Sequence, residues 1–223
     1  VAATSAASPP AGRGAGAEYY LMWGSALTDA ALVNVYKKRV SFNGLSFASA
    51  STTFNKTGAA LLYDHDSGEP GFSYVVNCEF PAWGTNNSGL YINGANHMFV
   101  SRNSFGGAAS TLPNGIVFAG SSSNMPVHDV IEDNVFSNCT IGIRFKDGTP
   151  QNLLFKDNTF YTLGTANIDF DGMAAEGTGF IVGNNFYGSV STAIDSITGG
   201  TDTVTGVIGD TGFEFAGNNY LET

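Results

Sequence analysis

The chain has 223 residues and a mass of 23.2 kDa, enough for one sizeable core. Nine Lys and Arg stand against 19 Asp and Glu, a formal charge of −10. That balance argues against nucleic acid and anionic membrane surfaces as partners, since both select clustered cations. With 43% apolar and 13% charged residues the chain is not a disordered polyelectrolyte, and it contains no run of 18 apolar residues that could span a membrane.

Residues 1–17 are mostly Ala, Gly, Ser and Pro and predict a flexible low-complexity arm. They lack the basic start and apolar stretch of a signal peptide. Residues 18–39 predict a cap or first rung, and 40–223 a single repeating coil. One repeated unit ends in Asn-x-Phe: Asn103-Ser-Phe105, Asn134-Val-Phe136 and Asn158-Thr-Phe160, with Asn184-Asn-Phe186 and Asn218-Asn-Tyr220 after them. Phe47 and Phe80 extend the series upstream. Five residues before each of the later aromatics stands another apolar residue: Val100, Ile131, Phe155, Ile181 and Phe215. A second unit alternates apolar, variable, apolar: Leu90-Tyr-Ile92, Ile116-Val-Phe118, Ile143-Arg-Phe145, Ile168-Asp-Phe170, and then Ile194-Asp195. Its members recur about every 26 residues, a solenoid period.

Period-2 alternation means strands with one buried face. Two short strands per repeat, always in the same order, predict stacked rungs about 4.8 Å apart, each strand parallel to its equivalent above and below. The Phe residues should then stack inside the coil, and the Asn residues should form an amide ladder at a turn. Cys78 takes the Asn position of its own rung, and Cys139 lies about two rungs away, too far for a disulfide. These Asn-x-Phe and Ile-x-Phe ladders resemble the right-handed parallel β-helix superfamily, the fold of pectate lyases and phage tailspikes. The resemblance covers residues 40 to 220. It implies an all-β, single-stranded right-handed parallel β-helix of about seven rungs, a scaffold that hosts lyases, hydrolases, adhesins and virion parts.

Charged residues occupy outward positions of the Ile-x-Phe strands. Arg144, Asp169 and Asp195 follow one another on successive rungs, as do Lys146 and Asp171 two residues further on. The resemblance implies a polysaccharide-lyase reading. Arg or Lys would be the base beside a uronate carboxylate, and paired Asp residues could hold Ca²⁺. The alternative is a surface ladder of opposite charges that favours register. No hydrolase signature of neighbouring Asp pairs with downstream His and Arg is present. Asp64-His-Asp66-Ser-Gly68-Glu69 departs from an EF-hand loop, with Gly at position 5 and Val75 at position 12. His65, His97 and His128 do not have zinc-site spacing. No metal site or cofactor is therefore assigned, apart from the Ca²⁺ of the lyase reading. Trp83 sits on a loop just after an anchor Phe, and Tyr91, Tyr161 and Tyr187 should point outward; all four are candidates for holding a glycan or a partner.

Three functions fit. The favoured one is a non-catalytic structural or receptor- and glycan-facing component of a phage virion. It would be a homo-oligomer such as a trimer, or would dock on other virion proteins, with a surface polysaccharide as ligand. The others are a polysaccharide lyase or glycoside hydrolase, and a non-catalytic glycan-binding or adhesive module of a larger surface protein. All three place the chain on a virion or outside the cell.

Overall fold

The computed structural model describes residues 19–21, 31–47, 59–65, 68, 70–81, 88–106, 112–121, 124–161, 165–170, 173, 177–187, 194–195 and 212–221. For 19–21, 31–32, 194–195 and 220–221 it describes the backbone only. The strands wind into three parallel sheets of eight, seven and seven strands. Sheet A contains Ser104–Gly106, Val135–Ser137, Thr159–Tyr161 and their equivalents. Sheet B contains Ser88–Asn93, Leu112–Ala119, Cys139–Phe145 and Ala166–Asp169. Sheet C contains Gly71–Val76, Asn96–Ser101, Val130–Glu132, Leu153–Lys156 and Gly179–Val182. The class is the parallel solenoid expected.

Each turn has three strands, where the sequence pattern suggested two. The stretch ending in Asn-x-Phe is two strands on two sheets, divided by one residue in the left-handed region. That residue is Gly44, Asn77, Arg102, Asp133, Asp157, Gly183 or Gly217, with φ between 53 and 70°. Most are Gly, Asn or Asp, the residues that adopt this conformation at least cost. A positive φ cannot continue a strand, so the chain turns from sheet C to sheet A there.

The core follows from the rung spacing. Phe47, Phe80, Phe105, Phe136, Phe160 and Phe186 stack face to face, with ring centroids 4.7 to 5.0 Å apart and planes within 16°. Tyr220 continues the register beyond Phe186. A second stack, Phe118–Phe145–Phe170, meets the edges of Phe155. Gly115 and Gly142 let the first stack approach sheet B. A Cβ at Gly142 would lie 2.6 Å from the Asn167 carbonyl and 2.8 Å from the Phe160 ring.

The amide ladder closes rung by rung. Asn103 donates its backbone N–H at 3.0 Å and its Nδ2–H at 2.9 Å to Asn134 Oδ1, and donates again to the Val75 carbonyl at 2.8 Å. Asn134, Asn158 and Asn184 repeat the same set with the next rung. Every polar atom of these buried side chains is therefore engaged, which removes the penalty of placing amides in a core. Cys78 does occupy this column. Its backbone N–H donates to Asn103 Oδ1 at 2.8 Å. Both cysteines are free and buried. Burial pushes the Cys139 thiol up to about 12 and raises that of Cys78, so neither offers a thiolate for chemistry.

Candidate functional site

Three outward regions carry the residues singled out from the sequence. On sheet B, parallel register places Arg144 beside Asp169 and Asp169 beside Asp195. Arg144 Nε lies 3.4 Å from Asp169 Oδ2, with the Arg side chain 45% exposed and the Asp side chain 9%. Lys146 lies just past the strand end, exposed. Asp171 and the side chain of Asp195 fall outside the described residues, as do Trp83, Asp66 and Glu69. The same column continues upward as Val117, Tyr91 and Leu62. These are covered. Tyr91 is 6% exposed and packs in a small outer cluster with Ala59, Leu62, Val117 and Ala119. Tyr91 points outward as expected but is not an open platform, because the outer face of sheet B is itself apolar and buried at that level. Among the described residues no group of three or more His, Cys, Asp or Glu could hold a metal ion. Asp64 instead accepts a hydrogen bond from Asn93 Nδ2 at 2.8 Å.

On sheet A, Tyr161 and Tyr187 are adjacent and outward, and their rings stack at 4.9 Å. Each covers one face of the other, so the pair offers edges and hydroxyls more than two free faces.

Sheet C carries a surface that the pattern did not reveal. Tyr74, Phe99, Val130, Leu154 and Phe180 pair in register on five successive turns. Tyr74 and Phe180 are about half exposed, and Phe99 is exposed as well. The stripe is about 19 Å long at the ordinary rung spacing. At its edge runs the corner between sheets B and C. There a second left-handed residue opens most turns: Arg39, Phe72, His97, His128, Asn152 and Gly212, with φ from 49 to 73°. The Phe72 and His97 rings stack at 4.4 Å, and His97 and His128 lie 4.9 Å apart.

A cleft of about 300 Å³ opens at this corner, lined by Lys38, His65, Pro70, Phe72, Asn96 and His97. Gly71, beside it, lets the next turn approach closely. Its φ is 142°, and a Cβ there would lie 2.5 Å from the Asn96 carbonyl. Two buried polar atoms of the lining, His65 Nδ1 and Asn96 Oδ1, have no hydrogen-bond partner among the described residues. Beneath the corner, Asp129 is fully buried. Its Oδ1 accepts the Met98 N–H at 2.8 Å, while Oδ2 has no partner among the described residues. Burial drives the carboxyl well above its usual range, which favours its protonated form.

A family model described as a right-handed β-helix region matches residues 30–215. No curated protein sequence matches the chain. Among solved structures, the surface adhesin PfbA of Streptococcus pneumoniae superposes with a TM-score of 0.53 at 13% identity, over 83% of this chain and 44% of that one. The chain thus spans less than half the length of that neighbour. An alginate lyase from Paenibacillus sp. strain FPU-7 is similar with a TM-score of 0.43 at 11% identity, over 85% of this chain and 90% of the lyase.

Proposed function

The chain belongs to the right-handed β-helix family, and from that premise we propose that it is a non-catalytic, glycan-facing module displayed outside the cell, on a virion or a cell surface. The observation that carries this reading is the apolar stripe Tyr74, Phe99, Val130, Leu154 and Phe180, of which Tyr74, Phe99 and Phe180 are exposed, running alongside the corner cleft. Aromatic faces in a row suit the C–H faces of a sugar chain laid along the coil axis.

The candidate lyase column supports this reading by what it lacks. Arg144 is held against Asp169, and the residues above them are covered by the chain. The test is binding to a panel of immobilised bacterial polysaccharides. Tyr74→Ala, Phe99→Ala and Phe180→Ala together should weaken binding at least tenfold, with no depolymerisation by the native chain. Turnover of a polysaccharide that Arg144→Ala abolishes would replace this reading with the lyase one.

A further inference from the structure

Winding the coil brings together two histidines that lie far apart in the chain. His97 and His128 hold the same place on neighbouring turns. Both have the left-handed backbone of the entry corner, with φ of 56 and 60°. Their N–H groups donate to the next turn in the same way, to the Val127 and Gln151 carbonyls at 3.0 Å. Equivalent backbones aim their side chains alike. The two imidazoles therefore stand side by side, with ring centres 4.9 Å apart and planes tilted by 40°. Both residues are exposed, so solutes reach them. Each ring is also steadied from its far side. Phe72 stacks on His97 at 4.4 Å. Asn152, one turn further on, has its Nδ2 3.3 Å from His128 Nε2. Turned over, that amide accepts the Nε2–H through its Oδ1, which fixes the tautomer and leaves Nδ1 with a lone pair for an ion.

We propose that His97 and His128 chelate one divalent transition-metal ion across two turns, Cu²⁺ being held best. Imidazole nitrogen suits Cu²⁺, Ni²⁺ and Zn²⁺, whereas Ca²⁺ and Mg²⁺ take oxygen. Cu²⁺ heads the affinity order at a given set of ligands, and its planar arrangement of nitrogen and oxygen donors leaves the remaining positions to water. Two nitrogens each about 2 Å from one ion are themselves about 3 Å apart. A modest rotation of two exposed rings at the observed spacing reaches that separation. Asn152 is a positioning residue behind His128. The net charge of −10 draws cations toward the chain, and the corner's own cation, Arg39, is set apart from His97 by the turn that carries Phe72. The site stands independently of the glycan-facing reading.

The experiment is calorimetric titration of the whole chain, free of any histidine tag and in a non-coordinating buffer, with Cu²⁺, Zn²⁺ and Ca²⁺. Pulsed EPR of the Cu²⁺ complex accompanies it. One Cu²⁺ should bind per chain, at least tenfold tighter than Zn²⁺, and excess Ca²⁺ should not displace it. The EPR should show coupling to two imidazoles. His97→Ala and His128→Ala should each weaken Cu²⁺ binding at least tenfold, and His65→Ala should leave it unchanged. Asn152→Ala should weaken it at least threefold, while Asn152→Asp, which still accepts the Nε2–H, should bind at least as tightly as the native chain. Coupling to a single imidazole overturns the chelate, and this readout on the native chain does not depend on how any variant folds. Native affinity in either histidine variant, displacement by Ca²⁺, or an equal loss in His65→Ala overturns it as well.

Discussion

Two corners of the coil share one backbone device and use it in opposite ways. Most turns have a left-handed residue at the entry to sheet C and another five residues later, at its exit, as in His128 and Asp133. At the later corner the next residue is Asn on turn after turn, and each amide is fully bonded. At the earlier corner the residues are varied, being Arg39, Phe72, His97, His128, Asn152 and Gly212. Three buried polar atoms near them, His65 Nδ1, Asn96 Oδ1 and Asp129 Oδ2, have no hydrogen-bond partner among the described residues. Where every turn repeats the same residue, the corner contributes cohesion. Where the residue varies, the corner is free of that constraint and can carry side chains that the repeat does not dictate.

The largest expected effect sets the two corners against each other. Asn134→Ala strands the Asn103 N–H and Nδ2–H, and also the Val100 carbonyl, in a buried setting. At about 1–3 kcal/mol for each buried group left unpaired, it should cost roughly 3–6 kcal/mol. His97→Ala should cost less than about 1 kcal/mol, as exposed positions do. Urea unfolding of the two variants measures both, and equal losses would break the comparison.

The next effect sharpens it with pH. The buried Asp129 carboxyl has a raised pKa in the folded state, so the folded chain holds a proton that the unfolded chain releases near pH 4. Its contribution to stability is complete below that unfolded value and is lost as pH rises toward the folded one, by about 1.4 kcal/mol per unit. Asp129→Asn removes the slope. Relative to the native chain, the variant should therefore gain stability as pH rises above about 4, the unfolded carboxyl's range. A pH-independent difference in urea midpoints would mean that Asp129 is charged in the fold.

The smallest effect concerns the charged column of sheet B. Arg144→Ala should change stability by less than about 1 kcal/mol, because a half-exposed cation gains little from its ion pair. A larger loss would make that column part of the cohesive framework.

The cohesive half of the molecule was legible in the sequence, because identity there repeats. Phe105, Phe136 and Phe160, and Asn103, Asn134 and Asn158, recur at the same place in each turn because each must fit the copy above and below. The family, the register and the burial of Cys78 followed from them. The third sheet was hidden by a single residue per turn, Asp133 for example, whose left-handed conformation no pattern of apolar residues reports. The sheet C stripe was hidden because Tyr74, Phe99 and Phe180 look like core residues. One signal was available. Tyr74-Val75, Phe99-Val100, Leu154-Phe155 and Phe180-Ile181 each put two apolar residues side by side, and a strand that is apolar on both faces must show one of them to solvent. The cleft had no such signal. Lys38, His65 and Asn96 come from three different turns and meet only once the coil is wound.

The amide ladder also has a direction. Each Asn gives its hydrogens to the next turn's Oδ1 and receives from the turn before, so the side-chain dipoles from Asn103 to Asn218 align head to tail. Because every step is the same, a whole turn can be spliced in or out while the joint between its neighbours re-forms unchanged. A cut of any other length leaves the row out of phase. The coil is thus a material that changes length in whole units, and its variable corner can be lengthened, shortened or rewritten one turn at a time without disturbing the seam that holds it together.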